Sequence, residues 1–299
     1  MTINSFHNMK LPALGTIRFD LVVIDTMNSQ LDNAPLGHET VYPTAYDARL
    51  LFPIERAPNR LALGPLPTWV GADIWTAYEI SWLNPKGKPV VATATFTVPH
   101  DSPYLVESKS FKLYLNSFND ERFADKSEVI ARMRQDLSAA CGAHVDVELQ
   151  TLSEQTGSIY RPMEGINIDD LDVEIDAYIP SPNLLRCVQS ASEIEETLVS
   201  DLLKSNCPVT GQPGWATVQI RYAGPQINRA ALLKYIVSLR RHDEFHEHCV
   251  EKMYCDIWTV CKPRSLLVYA RYTRRGGLDI NPGRASHPMQ VAASRTIRQ

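Results

Sequence analysis

One order of hydrophobic periods occurs twice along the chain, and that repetition limits the fold more than any other feature. In residues 74–83 and 90–98, β-branched and aromatic residues flank Asn84-Pro85-Lys86-Gly87, the pattern of two strands joined by a turn. Phe111, Tyr114, Leu115 and Phe118 then fall at i, i+3, i+4 and i+7, the stripe of an amphipathic helix whose polar face carries Lys109, Lys112 and Asn116. A second helix is predicted from Asp125, with Glu128 placed as in a capping box. It runs through Val129, Ile130, Met133, Leu137 and Ala140 to a C-cap at Gly142. Residues 144–151 return to alternation, with Val145, Val147 and Leu149 set against Asp146, Glu148 and Gln150.

After a polar stretch, residues 155–170, the order resumes. Residues 194–204 fit strand or helix, whereas Val218, Ile220 and Tyr222 alternate as a strand. Leu232, Tyr235, Ile236 and Leu239 mark one helix, Val250, Met253, Ile257 and Val260 a second, and residues 266–272 a closing strand. The polar stretch is the expected module boundary, and residues 172–179 have the pattern to add a further strand to the first sheet. The expectation is an α+β chain of antiparallel sheets with paired helices on one face. It divides into an N-terminal arm (1–70) packed on the core, a first module (71–165) and a second (166–299). A Rossmann architecture is disfavoured, because no G-x-G-x-x-G links a strand to a helix.

Composition narrows the partners. With 30 Lys+Arg against 34 Asp+Glu the net charge is −4, which argues against direct nucleic-acid binding, since that affinity rests on clustered cations. No segment has the roughly 18–20 apolar residues that would span a bilayer, and residues 1–10 lack a signal-peptide core, so no membrane and a cytoplasmic location are expected. Six cysteines in 299 residues are too few for a disulfide scaffold and are read as thiols.

Four segments concentrate chemistry. Cys207 sits in Ser205-Asn206-Cys207-Pro208-Val209-Thr210-Gly211-Gln212-Pro213, a polar loop before a strand. That suits a nucleophile, although a packed thiol is the ordinary alternative. Asp243-Glu244-Phe245-His246-Glu247-His248-Cys249 opens the last long helix, where a carboxylate can fix the N–H groups of a heterocycle; a solvated helix start and zinc binding stay open. For zinc, the two-residue spacing of His246 and His248 suits a strand better than a helix. Cys249, Cys255 and Cys261 also recur at an interval that leaves them on no common helical face. Glu107-Ser108-Lys109-Ser110-Phe111-Lys112-Leu113-Tyr114 reads as a capped helix with solvated lysines, and Arg271-Tyr272-Thr273-Arg274-Arg275-Gly276-Gly277 as a basic turn open to an anion such as phosphate or to solvent alone.

Together these segments resemble the 7-cyano-7-deazaguanine reductases, the nitrile reductases of queuosine biosynthesis, in their long two-module form. The resemblance extends from about Leu36 to Pro282 through Leu50-Leu51-Phe52-Pro53-Ile54, Gly71-Ala72-Asp73-Ile74-Trp75, Ser81-Trp82-Leu83-Asn84, Asn116-Ser117-Phe118-Asn119, His246-Glu247 and Arg274-Arg275-Gly276-Gly277-Leu278-Asp279. It implies a tunnelling fold of tandem β-β-α-α modules, a homodimer, NADPH as reductant and a free deazapurine nitrile as substrate. It implies Cys207 as the nucleophile that forms a covalent thioimide, with the nitrile reduced to an amine by two hydrides. Val106, Glu107, Ser108, His246 and Glu247 are implied around the deazaguanine, with His246 also in a proton relay. Ser108, Lys109, Arg275 and Gly276 are implied at the NADPH phosphates, and no metal is implied.

The chain departs from the family pattern at one place. Seven residues after the nucleophile the family carries an Asp that handles protons, and here that position is Gly214. An engineered substitution, a natural variant in which His246 or water substitutes, and a homologue that binds without turnover are the three accounts. Outside the reductase reading stand a zinc-dependent, GTP cyclohydrolase-like hydrolase of the same fold and a non-catalytic deazapurine-binding protein.

Overall fold

In a computed structural model, residues 42–154, 160–189 and 192–299 are described. Most of the expected N-terminal arm (1–41) and part of the polar stretch (155–159) lie outside them. The strands and helices are β1 (Pro53–Glu55), α1 (Ala57–Ala62), β2 (Val70–Leu83), β3 (Pro89–Pro99), β4 (Tyr104–Val106), α2 (Ser108–Asn116), α3 (Lys126–Cys141), β5 (Asp146–Thr151), β6 (Ile166–Asn167), β7 (Glu193–Asn206), β8 (Pro213–Pro225), α4 (Arg229–Ser238), α5 (His246–Cys261), β9 (Ser265–Tyr272) and β10 (Leu278–Ala285).

The twice-repeated order is present as β2-β3-α2-α3-β5 and β7-β8-α4-α5-β9. Both sets of strands belong to one eight-stranded sheet, ordered β5-β3-β2-β10-β9-β8-β7-β6; every pairing is antiparallel except β6 with β7. Each half keeps its own apolar core between sheet and helices. Phe96, Phe111, Tyr114, Met133 and Leu137 fill the first, and Leu203, Ile220, Tyr235, Val250 and Ile257 the second. The ends of α3 follow the sequence. Asp125 accepts from the Ser127 and Glu128 amides, Glu128 reaches back to the Ala124 amide, and Gly142 closes the helix at φ 68°.

Three expectations need correction. The chain does not close at β9: β10 follows and lies between β2 and β9, the strand that joins the halves. Residues 172–179 form no strand; Val173 packs against the second core, and the strand found nearby, β6, pairs with β7. Val260 is 36% exposed, because the apolar stripe of α5 has turned away from it by the last turn.

Where β10 meets β2, the backbones are close. A Cβ on Gly71 (φ +146°) would stand 2.1 Å from the Gly283 carbonyl oxygen, so only glycine fits. Beside this contact the two halves are tied by buried charge. Arg284 on β10 donates to Asp73 on β2 at 2.7 Å and to Glu251 on α5 at 2.8 Å; Arg56 donates to Asp73 at 2.5 Å and Arg60 to Glu251 at 2.8 Å. Although burial alone would raise the Asp73 and Glu251 carboxyls, the facing guanidinium groups hold both below the usual range. Removing Asp73 leaves three buried or half-buried guanidinium groups to share the single Glu251 carboxylate. Asp73→Asn is therefore expected to cost about 3–5 kcal/mol in denaturant unfolding at neutral pH. Since the native carboxyl values are depressed, the network's contribution is full above about pH 4 and falls as pH drops through them, so the variant's deficit shrinks in acid.

Candidate active site

Four segments from both halves meet at one cleft. The β4–α2 junction brings Val106, Ser108 and Lys109; the β7–β8 loop brings Cys207, Pro208, Thr210 and Gln212. The start of α5 contributes Glu244, Phe245, His246 and Glu247, and the β9–β10 turn Thr273, Arg275 and Gly276. Trp75, Leu278 and Ile280 give it an apolar floor.

The β7–β8 loop is tied back on itself by the Cys207 amide donating to Gln212 O and the Gly211 amide to Cys207 O, both at 2.9 Å. Gly211 at φ +66° supplies the turn. Arg275 fastens the loop from outside, donating through Nη2 to the carbonyls of Gln212 and Pro213. Cys207 is half-buried and is the cysteine that lines the cleft. Burial pushes the Cys249 thiol to about 11 and those of Cys141, Cys255 and Cys261 to about 12, which leaves them as packing thiols.

The structure separates the two glutamates that the sequence offered for a heterocycle. Glu107 is wholly buried and caps α2, accepting from the Lys109 and Ser110 amides at 2.7 Å each; it is not part of the cleft lining. Glu247 is 2% exposed and lines the cleft, and its Oε1 has no partner among the described residues. Burial, and then the Asp73 charge, push its carboxyl up to about 7.

His246 stacks on Tyr272 with ring centroids 3.6 Å apart. Burial first and the Arg275 charge second push it down to about 3, so the imidazole is neutral at pH 7. Gly214 pairs with Ser205 at the start of β8, and a Cβ there would stand 2.8 Å from His246 Nε2 and 3.1 Å from Arg275 Nη2. At the basic turn, Gly276 lies over Lys112, whose Cδ would be 3.0 Å from an added Cβ. Among the described residues, no group of three or more His, Cys, Asp or Glu side chains is placed to hold a metal ion. Sequence reasoning passed over Lys112 and Gln212 as cleft residues. Lys112 lies one helical turn after Ser108 on α2, and that spacing was the available signal.

A loop thiol lines a cleft together with a carboxylate, an imidazole and a guanidinium, the kinds of group found at enzyme active sites. Comparison with known proteins gives the family. Residues 42–149 match the family described as "Nitrile reductase, 7-cyano-7-deazaguanine-reductase N-term", and residues 213–290 match "QueF-like protein". A protein of Bordetella pertussis named NADPH-dependent 7-cyano-7-deazaguanine reductase is 56% identical over 272 residues, which cover 90% of this chain and 99% of that one. Proteins of the same name from Burkholderia ambifaria and Polaromonas sp. are 55% and 53% identical, each over 90% of this chain and 99% and 98% of theirs. The crystal structure of the archaeosine synthase QueF-Like in the apo form gives a TM-score of 0.29 at 16% identity, over 34% of this chain and all of that one, too distant to bear on the fold. The chain belongs to the 7-cyano-7-deazaguanine reductase family.

Proposed function

We propose that this chain reduces the nitrile of 7-cyano-7-deazaguanine to the primary amine at the expense of NADPH, through a thioimide on Cys207. The observation that carries the reading is the meeting of the Cys207 loop with Glu247 and Arg275 in one cleft, in a chain 56% identical to a relative bearing that name. A free nitrile accepts hydride poorly; addition of the thiol converts it to a C=N that accepts it well. The carboxylate of Glu247 holds the guanine-like edge by accepting from ring N–H and exocyclic amine, so the nitrile is presented to the thiol. Glu107 acts indirectly, by fixing the start of α2 that forms the cleft wall. Neutral His246 orients the ring through its stack on Tyr272 and passes a proton only in concert with a neighbour.

The cleft suits NADPH. Ser108, Lys109 and Lys112 stand along α2, and Lys112 packs against Gly276 of the basic turn, so cations and a helix start face the cleft together. When bound, NADPH supplies the two hydrides. Arg275 has its Nη2 committed to the Cys207 loop and contributes to phosphate binding through its charge. The tandem modules adopt the tunnelling fold, and two chains close the assembly as a cytoplasmic homodimer. In support, the edge of β5 away from β3 is unpaired among the described residues. The product enters queuosine biosynthesis as a free base.

The test is NADPH consumption on addition of the nitrile, expected at two NADPH per amine formed; no nitrile-dependent oxidation overturns the reading. The same assay across pH checks Glu247. Its ionised form accepts hydrogen bonds and predominates above about 7, so KM for the nitrile is expected to rise as pH falls through that value, and Glu247→Gln to raise KM and flatten the dependence.

A further inference from the structure

We propose that Glu244, oriented by His248, is the carboxylate that carries the thiol proton of Cys207 in this chain; the inference rests on the reading of Cys207 as nucleophile. Two short stretches run side by side in parallel register here. The Asn206 amide donates to His242 O at 2.8 Å and the Glu244 amide to Asn206 O at 3.0 Å, which sets Asn206 beside Asp243. Their side chains meet on the outer face, Asn206 Nδ2 donating to Asp243 Oδ1 at 2.9 Å. In extended backbone successive side chains point to opposite faces, so the next residues along, Cys207 and Glu244, turn together to the other side. That side is the cleft, and both residues line it.

Glu244 is also held. The Phe245 amide donates to its Oε1 at 2.9 Å, and His248, fully buried in the first turn of α5, meets the same oxygen through Nδ1 at 3.0 Å. With the proton on Nδ1 the imidazole donates to the carboxylate, which keeps Oε2 as the oxygen with capacity for a further proton. A nucleophile, a base beside it and a third group that fixes the base are the parts that nucleophilic catalysis requires. Gly214 has no side chain to do this, and His246, pushed down to about 3, is too weak a base at neutral pH.

The step balances within the cleft. The S–H bond breaks and its proton goes to Glu244 Oε2, while the sulfur pair forms the S–C bond to the nitrile carbon. One C≡N π pair moves onto nitrogen, which takes the proton back from Glu244, leaving S–C=N–H and no net change in electrons.

The test uses the full chain and 7-cyano-7-deazaguanine without NADPH, and reads the mass increment on the protein against time. Glu244→Gln keeps an acceptor for Phe245 and His248, so the melting temperature and nitrile affinity are expected to stay near native while adduct formation slows by about 10²–10⁴-fold. Adding Gly214→Asp to that variant is expected to restore the rate at least in part, which a merely structural role for Glu244 does not allow. His248→Leu is expected to slow adduct formation on the order of tenfold and His248→Gln, which keeps a donor, to retain it. A native adduct that forms equally fast in Glu244→Gln overturns this assignment alone. No adduct on the native chain overturns the reading of Cys207 and this assignment with it.

Discussion

Cys207→Ala is expected to abolish nitrile-dependent NADPH oxidation and the covalent mass increment together, while leaving the protein folded and able to bind the nitrile. The loss should exceed about 10³-fold, because hydride would then have to reach an unactivated nitrile and every later step depends on the adduct. Retained folding follows from the position of the side chain. Cys207 is half-buried in a loop whose bonds to Gln212 and Gly211 use only backbone atoms, so removing sulfur leaves the tie intact. The same substitution at fully buried Cys249 is expected to act on stability instead. Intact mass and calorimetry on the two variants separate the roles; turnover that survives in Cys207→Ala rules out the thioimide.

Gly214→Asp is expected to raise turnover, by about 10²-fold where proton delivery to nitrogen limits reduction. A carboxylate there would stand beside His246 Nε2 and Arg275 Nη2, at the lip of the Cys207 loop. The Arg275 charge favours its ionised form, which takes up a proton in the cleft and, once protonated, delivers it to the nitrogen as hydride reaches the carbon. The room is not free, since a Cβ at 2.8 Å requires the imidazole to shift along its stack with Tyr272. Gly214→Ala makes the same demand and supplies no acid, so it is expected to lower turnover. The pair thus separates chemistry from volume, and rapid-quench measurement locates the gain of Gly214→Asp in the reduction phase. An Asp variant no faster than the native chain removes the missing carboxylate as the limit.

Much of this was legible in the residues because helices α2 to α5 and most strands carry a clear period. The stripe Phe111, Tyr114, Leu115, Phe118 is the buried face around α2, and the Asp125–Gly142 bracket marks α3 at both ends. Segment 194–204 was ambiguous because its apolar residues bunch at Leu198-Val199 and Leu202-Leu203; the register shift between Ser200 and Leu203 accounts for the second pair. β10 was missed for the opposite reason. Leu278, Asp279, Ile280 and Asn281 do alternate, but Pro282 and Gly283 argue against a central strand. Its polar face is satisfied by distant partners, as when Tyr78 donates to Asp279 at 2.5 Å. The cleft followed a similar rule. Cys207, His246 and Arg275 announced themselves as unusual local sequence, whereas the division of labour between Glu107 and Glu247 depends on which oxygens the folded backbone consumes, and periodicity does not carry that.

The strand between the halves sets how the molecule comes apart. Because β10 hydrogen-bonds to β2 on one side and β9 on the other, and Arg284 spans to carboxylates of both halves, neither half can melt while the other keeps all its bonds. The cleft walls are drawn from the two halves, so the site is lost in the same cooperative event as the fold. Local breathing is left to the loops at its rim, and the distance between thiol and carboxylate is fixed by the global stability of the chain.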